Sequence, residues 1–600
     1  MLAVIKPIFI AQKRGRAMSI VSFEQGDELP IRRVMVLLSR GDRTKTGNSR
    51  RGNSRKGNRQ KDEIMTFKLT RRAALQGMLA GTAALTTMRA LPAWAQAKGG
   101  TLTVGLTYEI DTMNVYSTGF LGDAQAAVVE GLLAPGADAK YVPVLATEVP
   151  TIENGGIVVS EDGKTMKVSY KLRPDVKWHD GEAFTSADVK YTWEAVKDEK
   201  FIAESKDGTA EVESIDTPDD LTVIVNYNTI LPTFASTLFT FGILPKHVLE
   251  GTDLNTSSYN ETPIGTGPFK VAEFARGQYV VVERFDGYWA KAENGDALPY
   301  LDKIIFKMIP DTNTLLTQLK SGEVTMVVST PYSQASQVQG IAGITIVKGP
   351  LLSWQHLDFN FKKPSLADIK VRQAIAAGID RAILSKAQGG FPQPISSPVV
   401  PVFDFYDPNT PVIAYDPAAA NKILDDAGYA MGGDGVRAKD GERLSYAFMV
   451  QSGRADDELA QQVIIAQLKA IGIEATANNQ TGVAYREARY KGGYDLIYGR
   501  WITSADPVYS VFWGTGGANN GQSYSNPALD AAFQKFENTL DPAIRKEGAA
   551  EFQKILADDL PTISLTTNVS LIAVTDKLKN FVPNPTNMTN FVHTAEWYMA

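Results

Sequence analysis

LSYAFMVQSGRADDELAQQVIIAQLKAIGIEATANNQTGVAYREARYKGGYDLIYGRW, residues 444–501, decides the fold class. LSYAFMV (444–450) reads as a buried strand. In DDELAQQVIIAQLKAIG (456–472), Leu459, Val463, Ile464, Gln467 and Leu468 fall near one helical stripe, which Gly472 stops. IEATAN (473–478) is a strand, VAYREARYKGG (483–493) a helix ending in glycines, and YDLIYGRW (494–501) a strand. Strand, helix, strand, helix, strand implies parallel pairing with right-handed crossovers.

Outward from there the pattern changes. TLTVGL (101–106) alternates Leu102, Val104 and Leu106. GIVVS (156–160) and TMKVSYKL (165–172) form a hairpin across Asp162-Gly163, with Met166, Val168, Tyr170 and Leu172 on one face. LTVIVNY (221–227) is another strand, and GPFKVAEF (267–274) pairs with QYVVVERF (278–285). Three later helices start alike, at Asp416-Pro417, Asn526-Pro527 and Asp541-Pro542, where an Asx side chain caps free N–H groups and proline loses nothing. No fixed-period repeat is visible. These signals predict an α/β protein of at least two lobes, the first rich in hairpins and the second a wound parallel sheet.

Composition narrows the chemistry. Six hundred residues exceed what one core supports. With no cysteine, disulfides, thiolate metal sites, cysteine nucleophiles and cysteine-linked lipid are excluded. The four histidines, His179, His247, His356 and His593, stand far apart in sequence, so no metal site is expected. Residues 1–95 carry 19 Lys+Arg against 6 Asp+Glu; the other 505 carry 42 against 61. That acidic remainder repels phosphate backbones and argues against a nucleic-acid partner.

The basic excess surrounds an address. In MTFKLTRRAALQGMLAGTAALTTMRALPAWAQA (65–97), Lys68, Arg71 and Arg72 precede a modestly apolar stretch and the small-x-small site Ala93-Trp94-Ala95. That order is a secretory signal peptide, too short and too rich in Thr, Gly and Ala to span a bilayer. Thr70-Arg71-Arg72 resembles the twin-arginine export motif, with Ala74 and Gln76 where that motif has a bulky apolar residue and a lysine. The twin-arginine route is favoured and the general secretory route stays open. Residues 40–61 are basic, Gly/Ser/Asn-rich and aperiodic, so 1–64 reads as a disordered or untranslated extension before a true start at Met65.

Catalytic signatures are missing from the sequence. It contains no GxSxG and no HExxH, Gly163-Lys164-Thr165 lacks the earlier glycine of a phosphate loop, and Gly433-Asp434-Gly435 lacks a third glycine. Asp425-Asp426 and Asp558-Asp559 fall late in helices as solvated faces. Aromatic residues near strand ends stand out instead: Tyr108, Trp354, Trp501, Tyr509 and Trp513, with Glu109 beside the first. Most buried aromatics are core. Ligands in open α/β sheets nevertheless bind beyond the carboxyl ends of strands, where Tyr108 and Trp501 fall.

KLRPDVKWHDGEAFTSADVKYTWEAV (171–196) closely resembles the signature region of the family-5 solute-binding proteins of ABC importers, the oligopeptide, dipeptide, nickel and opine binders. Here Asp180-Gly181 is a turn, Thr185 with Asp188 a helix cap, and Val189, Trp193 and Val196 a buried face, so the segment is structural. IGTGPFKVAEF (264–274), RFDGYW (284–289), NFKKPSLADIKVRQAIAAGIDR (360–381), YDPAAANKILDDAGY (415–429), YSNPALDAAF (524–533) and DLPTISL (559–565) agree in order, and the match covers essentially 100–600.

The resemblance implies a two-lobe periplasmic binding protein, type II-like and of the large class with an extra subdomain, closing by a hinge. It implies lobe I at 96–355 plus 570–600, with an inserted subdomain at about 143–263, and lobe II at 356–569. The chain would cross between lobes near 350–358 and 562–572. Its partners would be a small solute, peptide-like or opine-like, and the membrane permease and ATPase subunits; it would be a monomer without cofactor that catalyses nothing. Peptide-binding relatives often read Trp-x-x-Asp-x-x-Asp-Pro where this chain reads Trp501-Ile502-Thr503-Ser504-Ala505-Asp506-Pro507, one residue shorter. Ser504 or Thr503 takes the first Asp's place, and Asp506 matches the second, either touching ligand or capping a helix. The expected ligand-binding set is Tyr108, Glu109, Trp354, Trp501, Ser504, Asp506 and Trp513. A buried carboxylate at Glu109 or Asp506 would favour a cationic ligand group. A secreted hydrolase, or a sensory or chaperone-like protein on the same fold, is the alternative.

Overall fold

The computed structural model describes residues 98–119, 122–586 and 590–600, with the backbone of 8–13, 16–21 and 35–37. The chain divides into two compact units, Met1–Ala95 and Gln96–Ala600. In the first, strands Ile8–Lys13, Arg16–Val21 and Met35–Leu37 pair antiparallel in that order. The basic run 40–61 and the expected signal peptide lie outside the described residues.

The second unit is organised on a ten-stranded sheet, whose strands we number β1 (Thr101–Leu106), β2 (Phe269–Ala275), β3 (Tyr279–Arg284), β4 (Lys303–Met308), β5 (Met326–Val327), β6 (Ile344–Phe359), β7 (Ser445–Met449), β8 (Glu474–Ala477), β9 (Leu496–Ile502) and β10 (Thr562–Thr575). Their spatial order is β2-β3-β4-β1-β5-β10-β6-β9-β7-β8. β7 runs parallel to both β8 and β9, as the strand–helix alternation requires. β2, β3 and β4 form an antiparallel meander joined to β1 in parallel. The two long strands β6 and β10 unite these halves. Near Val574 β10 takes β5 as its other neighbour, and from Ser353 to Phe359 β6 takes β9.

Inserted between β1 and β2, strands Ile157–Val159, Met166–Lys171, Val212–Asp219 and Thr222–Tyr227 make a separate four-stranded sheet. Helix α1 (Ser186–Lys197) packs on it through Val189, Trp193 and Val196, and Asp188 Oδ2 accepts from Thr185 N at 2.9 Å to close its first turn. The Asx-Pro starts behave as physics demands. Asp416 Oδ1 accepts from the backbone N–H groups of Ala418 and Ala419, and Asn526 and Asp541 cap the helices that begin at Pro527 and Pro542 in the same way. Helix α2 (Ala455–Ala470) turns a different stripe inward from the one expected. Asp457, Ala460, Gln461, Ile464 and Leu468 are buried, whereas Leu459 is 42% exposed. The reason is polar: Gln461 Nε2 donates to Phe448 O at 2.7 Å and to Asn479 Oδ1 at 2.8 Å, which fixes the helix's rotation. Helix α3 (Gly482–Lys491) ends on Gly492 at φ +73°, a conformation glycine adopts without strain.

Candidate functional site

One cavity of about 760 Å³ opens among the carboxyl ends of β1, β7 and β9 and the hairpin Leu133–Pro143. That volume lies within the range of small-molecule sites. Tyr108 follows β1 and lines it; its hydroxyl donates to Asp123 Oδ2. Across the cavity, Ile502, Thr503, Ser504 and Ala505 follow β9. This loop hangs from β6: Thr503 N donates to Leu352 O at 2.9 Å and Ser353 Oγ to Trp501 O at 2.8 Å. The Ser504 hydroxyl donates to Asp506 O, which leaves its oxygen facing the cavity as an acceptor.

Of the seven sequence-expected residues, the structure thus brings Tyr108 and Ser504 together on the cavity wall. Trp501 stands one residue behind it, 8% exposed, its ring parallel to His356 at 5.8 Å. Trp354 and Trp513 have no exposure and pack with Tyr509, Phe512 and Phe536 in an aromatic cluster. Glu109 is exposed beside the β2–β3 turn at Gly277. Asp506 is buried in an ion pair, its Oδ1 2.5 Å from Arg545 Nη2 and its Oδ2 3.3 Å from Nη1. Burial outweighs that guanidinium and leaves the carboxyl above its ordinary pKa.

Asp506 caps no helix. The helix after Pro507 begins only at Ser510, and its free N–H groups are taken by Glu537, whose Oε1 accepts from Tyr509 N at 2.7 Å and Ser510 N at 2.8 Å. Neither the Glu109 nor the Asp506 carboxylate lines the cavity.

The charged lining residues are others: Glu130, Glu204 and Arg454. Glu130 is held by three donors from distant signature segments, Tyr288 OH at 2.7 Å, Thr266 Oγ1 at 3.0 Å and Trp289 Nε1 at 3.1 Å. Burial pushes its carboxyl up to about 7, against the pull of those donors and of Arg173. Arg454 precedes α2, just beyond the carboxyl end of β7. Among the described residues its guanidinium has no hydrogen bond or ion pair. The side chain is exposed at the cavity wall, and the protein packed around its head, with the like charge of Arg500, draws its pKa below the usual guanidinium value.

Behind Arg454 lie two more guanidinium groups. Arg500 Nη2 lies 3.1 Å from Asp457 Oδ1. Arg489 sits over the Trp501 ring and donates to His356 Nε2 at 2.8 Å, which leaves the ring proton on Nδ1, 2.9 Å from Asp358. Arg500 has Asp457 as its ion-pair partner and Arg489 bonds to His356, whereas the Arg454 guanidinium has no hydrogen bond or ion pair among the described residues and faces the cavity. An anionic group entering there gains a charge-assisted partner. The same rule that placed Trp501 at a strand's carboxyl end also selects Gly453-Arg454 after β7; Glu130 has no local sequence signal, because its partners lie 136 to 159 residues away.

The family model of bacterial extracellular solute-binding proteins, family 5 Middle, matches residues 140–523. The oligopeptide-binding protein AppA of Bacillus subtilis is 27% identical over 456 residues, covering 72% of this chain and 80% of AppA. Its solved structure with a nonapeptide superposes with a TM-score of 0.68 at 24% identity, over 84% of this chain and all of that one. The glutathione-binding protein GsiB of Pectobacterium atrosepticum is 27% identical over 520 residues, 84% of this chain and 95% of GsiB. The binding protein AgaA of A. tumefaciens, solved with agropinic acid, is 25% identical with a TM-score of 0.65, over 84% of this chain and 99% of AgaA. Among the described residues no helix is long and apolar enough to cross a membrane.

Proposed function

The chain belongs to the bacterial extracellular solute-binding proteins of family 5, and on that premise we propose that it captures a small peptide-like or opine-like solute through an anionic group seated on Arg454. It then hands the solute, chemically unaltered, to the permease of an ABC importer. The unpaired guanidinium on the cavity wall carries this reading. Compounds bound by the relatives, an oligopeptide, glutathione and agropinic acid, all bear carboxylates, which supports it. Tyr108, Ser504 and the apolar surface of Leu133 and Phe241 serve the remainder of the ligand. The address read at 65–97 supports export to the periplasm and a mature chain beginning near Gln96.

Closure follows from which elements meet around the cavity. The tip of the hairpin Leu133–Pro143 reaches the aromatic cluster of the other half: Ala139, at φ +62°, is 7% exposed against it, and Lys140 lies 3.5 Å from Asp404. A ligand touching both walls favours the arrangement that holds this contact.

The test is to identify by mass spectrometry the compound that co-purifies with the mature protein, then titrate it calorimetrically. Arg454→Gln should weaken binding between about tenfold and a hundredfold, the worth of a hydrogen-bonded charged group. Esterifying or amidating the ligand's acid should remove that difference. Equal affinity of the free and blocked acids, or recovery of a cleaved compound, overturns the reading.

A further inference from the structure

Arg381 closes the NFKKPSLADIKVRQAIAAGIDR segment, and the solute site makes no use of it. Its guanidinium packs into the second half of the molecule, the residue remaining partly exposed, and there Nε donates to Ser564 O at 3.0 Å and Nη1 to Ile413 O at 3.4 Å. A guanidinium has five donors, so two carbonyls leave it under-supplied. Among the described residues it has no ion pair. The adjacent carboxylate is committed elsewhere: Asp380 Oδ1 accepts from Ala382 N at 2.9 Å and Ile383 N at 3.1 Å. Burial alone pulls the Arg381 pKa down to about 10, with no charged neighbour contributing.

Beside it is a crevice of about 20 Å³, separate from the solute cavity, lined by Arg381, Ser396, Ser397 and Ser564 under an apolar rim of Val412 and Leu556. No acidic residue lines it among those described. Ser397 is engaged, its hydroxyl donating to Gln553 Oε1 at 2.8 Å. Ser396 Oγ is buried and has no hydrogen-bond partner. An under-supplied cation and an orphan hydroxyl donor therefore line one small crevice.

We propose that the crevice between Arg381 and Ser396 binds a single small monovalent anion of halide size. The volume admits one or two water-sized spheres and excludes a sulfate or an organic acid. A water molecule would satisfy Ser396 but leave a largely desolvated charge without a counter-ion, and such a charge favours an anion over a neutral partner. A halide meets both needs, accepting from the guanidinium and the hydroxyl together.

Bromide is the probe. Crystals grown without halide and soaked in sodium bromide should give an anomalous peak within hydrogen-bonding reach of Arg381 and Ser396 Oγ. In solution, the ligand-free protein should melt about 1–2 °C higher in sodium bromide than in sodium gluconate of equal ionic strength, rising with bromide concentration. Ser396→Val and Arg381→Gln should each abolish that difference; should Arg381→Gln fail to fold, Ser396→Val decides. Melting independent of the anion, a halide effect that survives Ser396→Val, or an anomalous peak with no stabilisation (an adventitious ion only) overturns the proposal.

Discussion

Removing the Asp506 carboxylate separates two roles that its position beside the cavity loop confounds. The side chain makes a two-pronged pair with Arg545, and the partners are 16% and 19% exposed, so solvent screens them little. Asp506→Ala leaves the guanidinium buried against Phe536, 4.7 Å from the ring centroid, without its counter-charge. Breaking a buried pair from one side costs about 3–5 kcal/mol; the residual exposure argues for the lower end, about 3 kcal/mol. Replacing both partners by apolar groups removes that penalty, so Asp506→Ala with Arg545→Met should recover most of the loss.

Urea denaturation followed by tryptophan fluorescence reads the difference, since a lower midpoint at unchanged slope reports stability alone. Affinity for the co-purified solute should fall less than tenfold in the single variant, because Asp506 touches the wall residues Ser504 and Tyr141 only indirectly, by a backbone bond and by its field. An unchanged midpoint with affinity reduced a hundredfold would refute the reasoning and make Asp506 a ligand contact. A double variant no more stable than the single one would refute the ion-pair account specifically.

Other perturbations address the remaining elements. Burial holds Glu130 up at about 7 and His179 down at about 4. The folded state keeps the Glu130 proton longer than the unfolded chain does, so its contribution is present at low pH and is lost as pH rises from 4.5 to about 7, while His179 acts in the opposite sense between about 4 and 6.5. The stability of wild type relative to Glu130→Gln, which cancels the histidine, should therefore fall by up to about 3 kcal/mol between pH 4.5 and 8, measured by urea denaturation at each pH. Ala139→Asp sets a charge against the aromatic cluster and should weaken solute binding by about tenfold or more and broaden the scattering profile of the liganded protein; unchanged affinity would remove the hairpin tip from the closed arrangement. Asp416→Ala should cost about 1 kcal/mol in a urea titration and leave calorimetric affinity intact, because two capping bonds are lost far from the cavity.

Local physics was readable in the sequence, and long-range placement was not. Asp416, Asn526 and Asp541 cap where they were expected to, because a cap involves only the next three residues. Asp506-Pro507 has the same letters, but Glu537, 30 residues on, takes the helix's N–H groups instead. The aromatics show the limit differently. Trp354 and Ser353 are neighbours on a strand buried on both faces, so no alternation says which side chain meets a cavity and which meets Tyr509 and Phe512. The register of α2 was lost to Gln461, a polar residue turned inward by two hydrogen bonds that hydrophobic periodicity cannot weigh.

At the junction of the halves the continuous sheet has a local break. Between Pro350 and Trp354 of β6 the ladder to β10 breaks, and Leu351, Leu352 and Ser353 face Asn568 alone. Side chains replace the missing backbone bonds. Asn568 Nδ2 donates to Ser353 Oγ at 2.7 Å and Gln355 Nε2 to Asn568 Oδ1 at 3.0 Å, while the Tyr332 hydroxyl accepts from Val569 N and donates to Val569 O, both at 2.9 Å. A backbone ladder resists rotation because every rung must shift together. Bonds through side-chain torsions keep their partners while the strands pivot, so bending costs least at this point. The same residues carry the cavity loop, through Ser353 to Trp501 and Leu352 to Thr503, so a pivot at Asn568 would move the Ser504 wall relative to the Tyr108 wall.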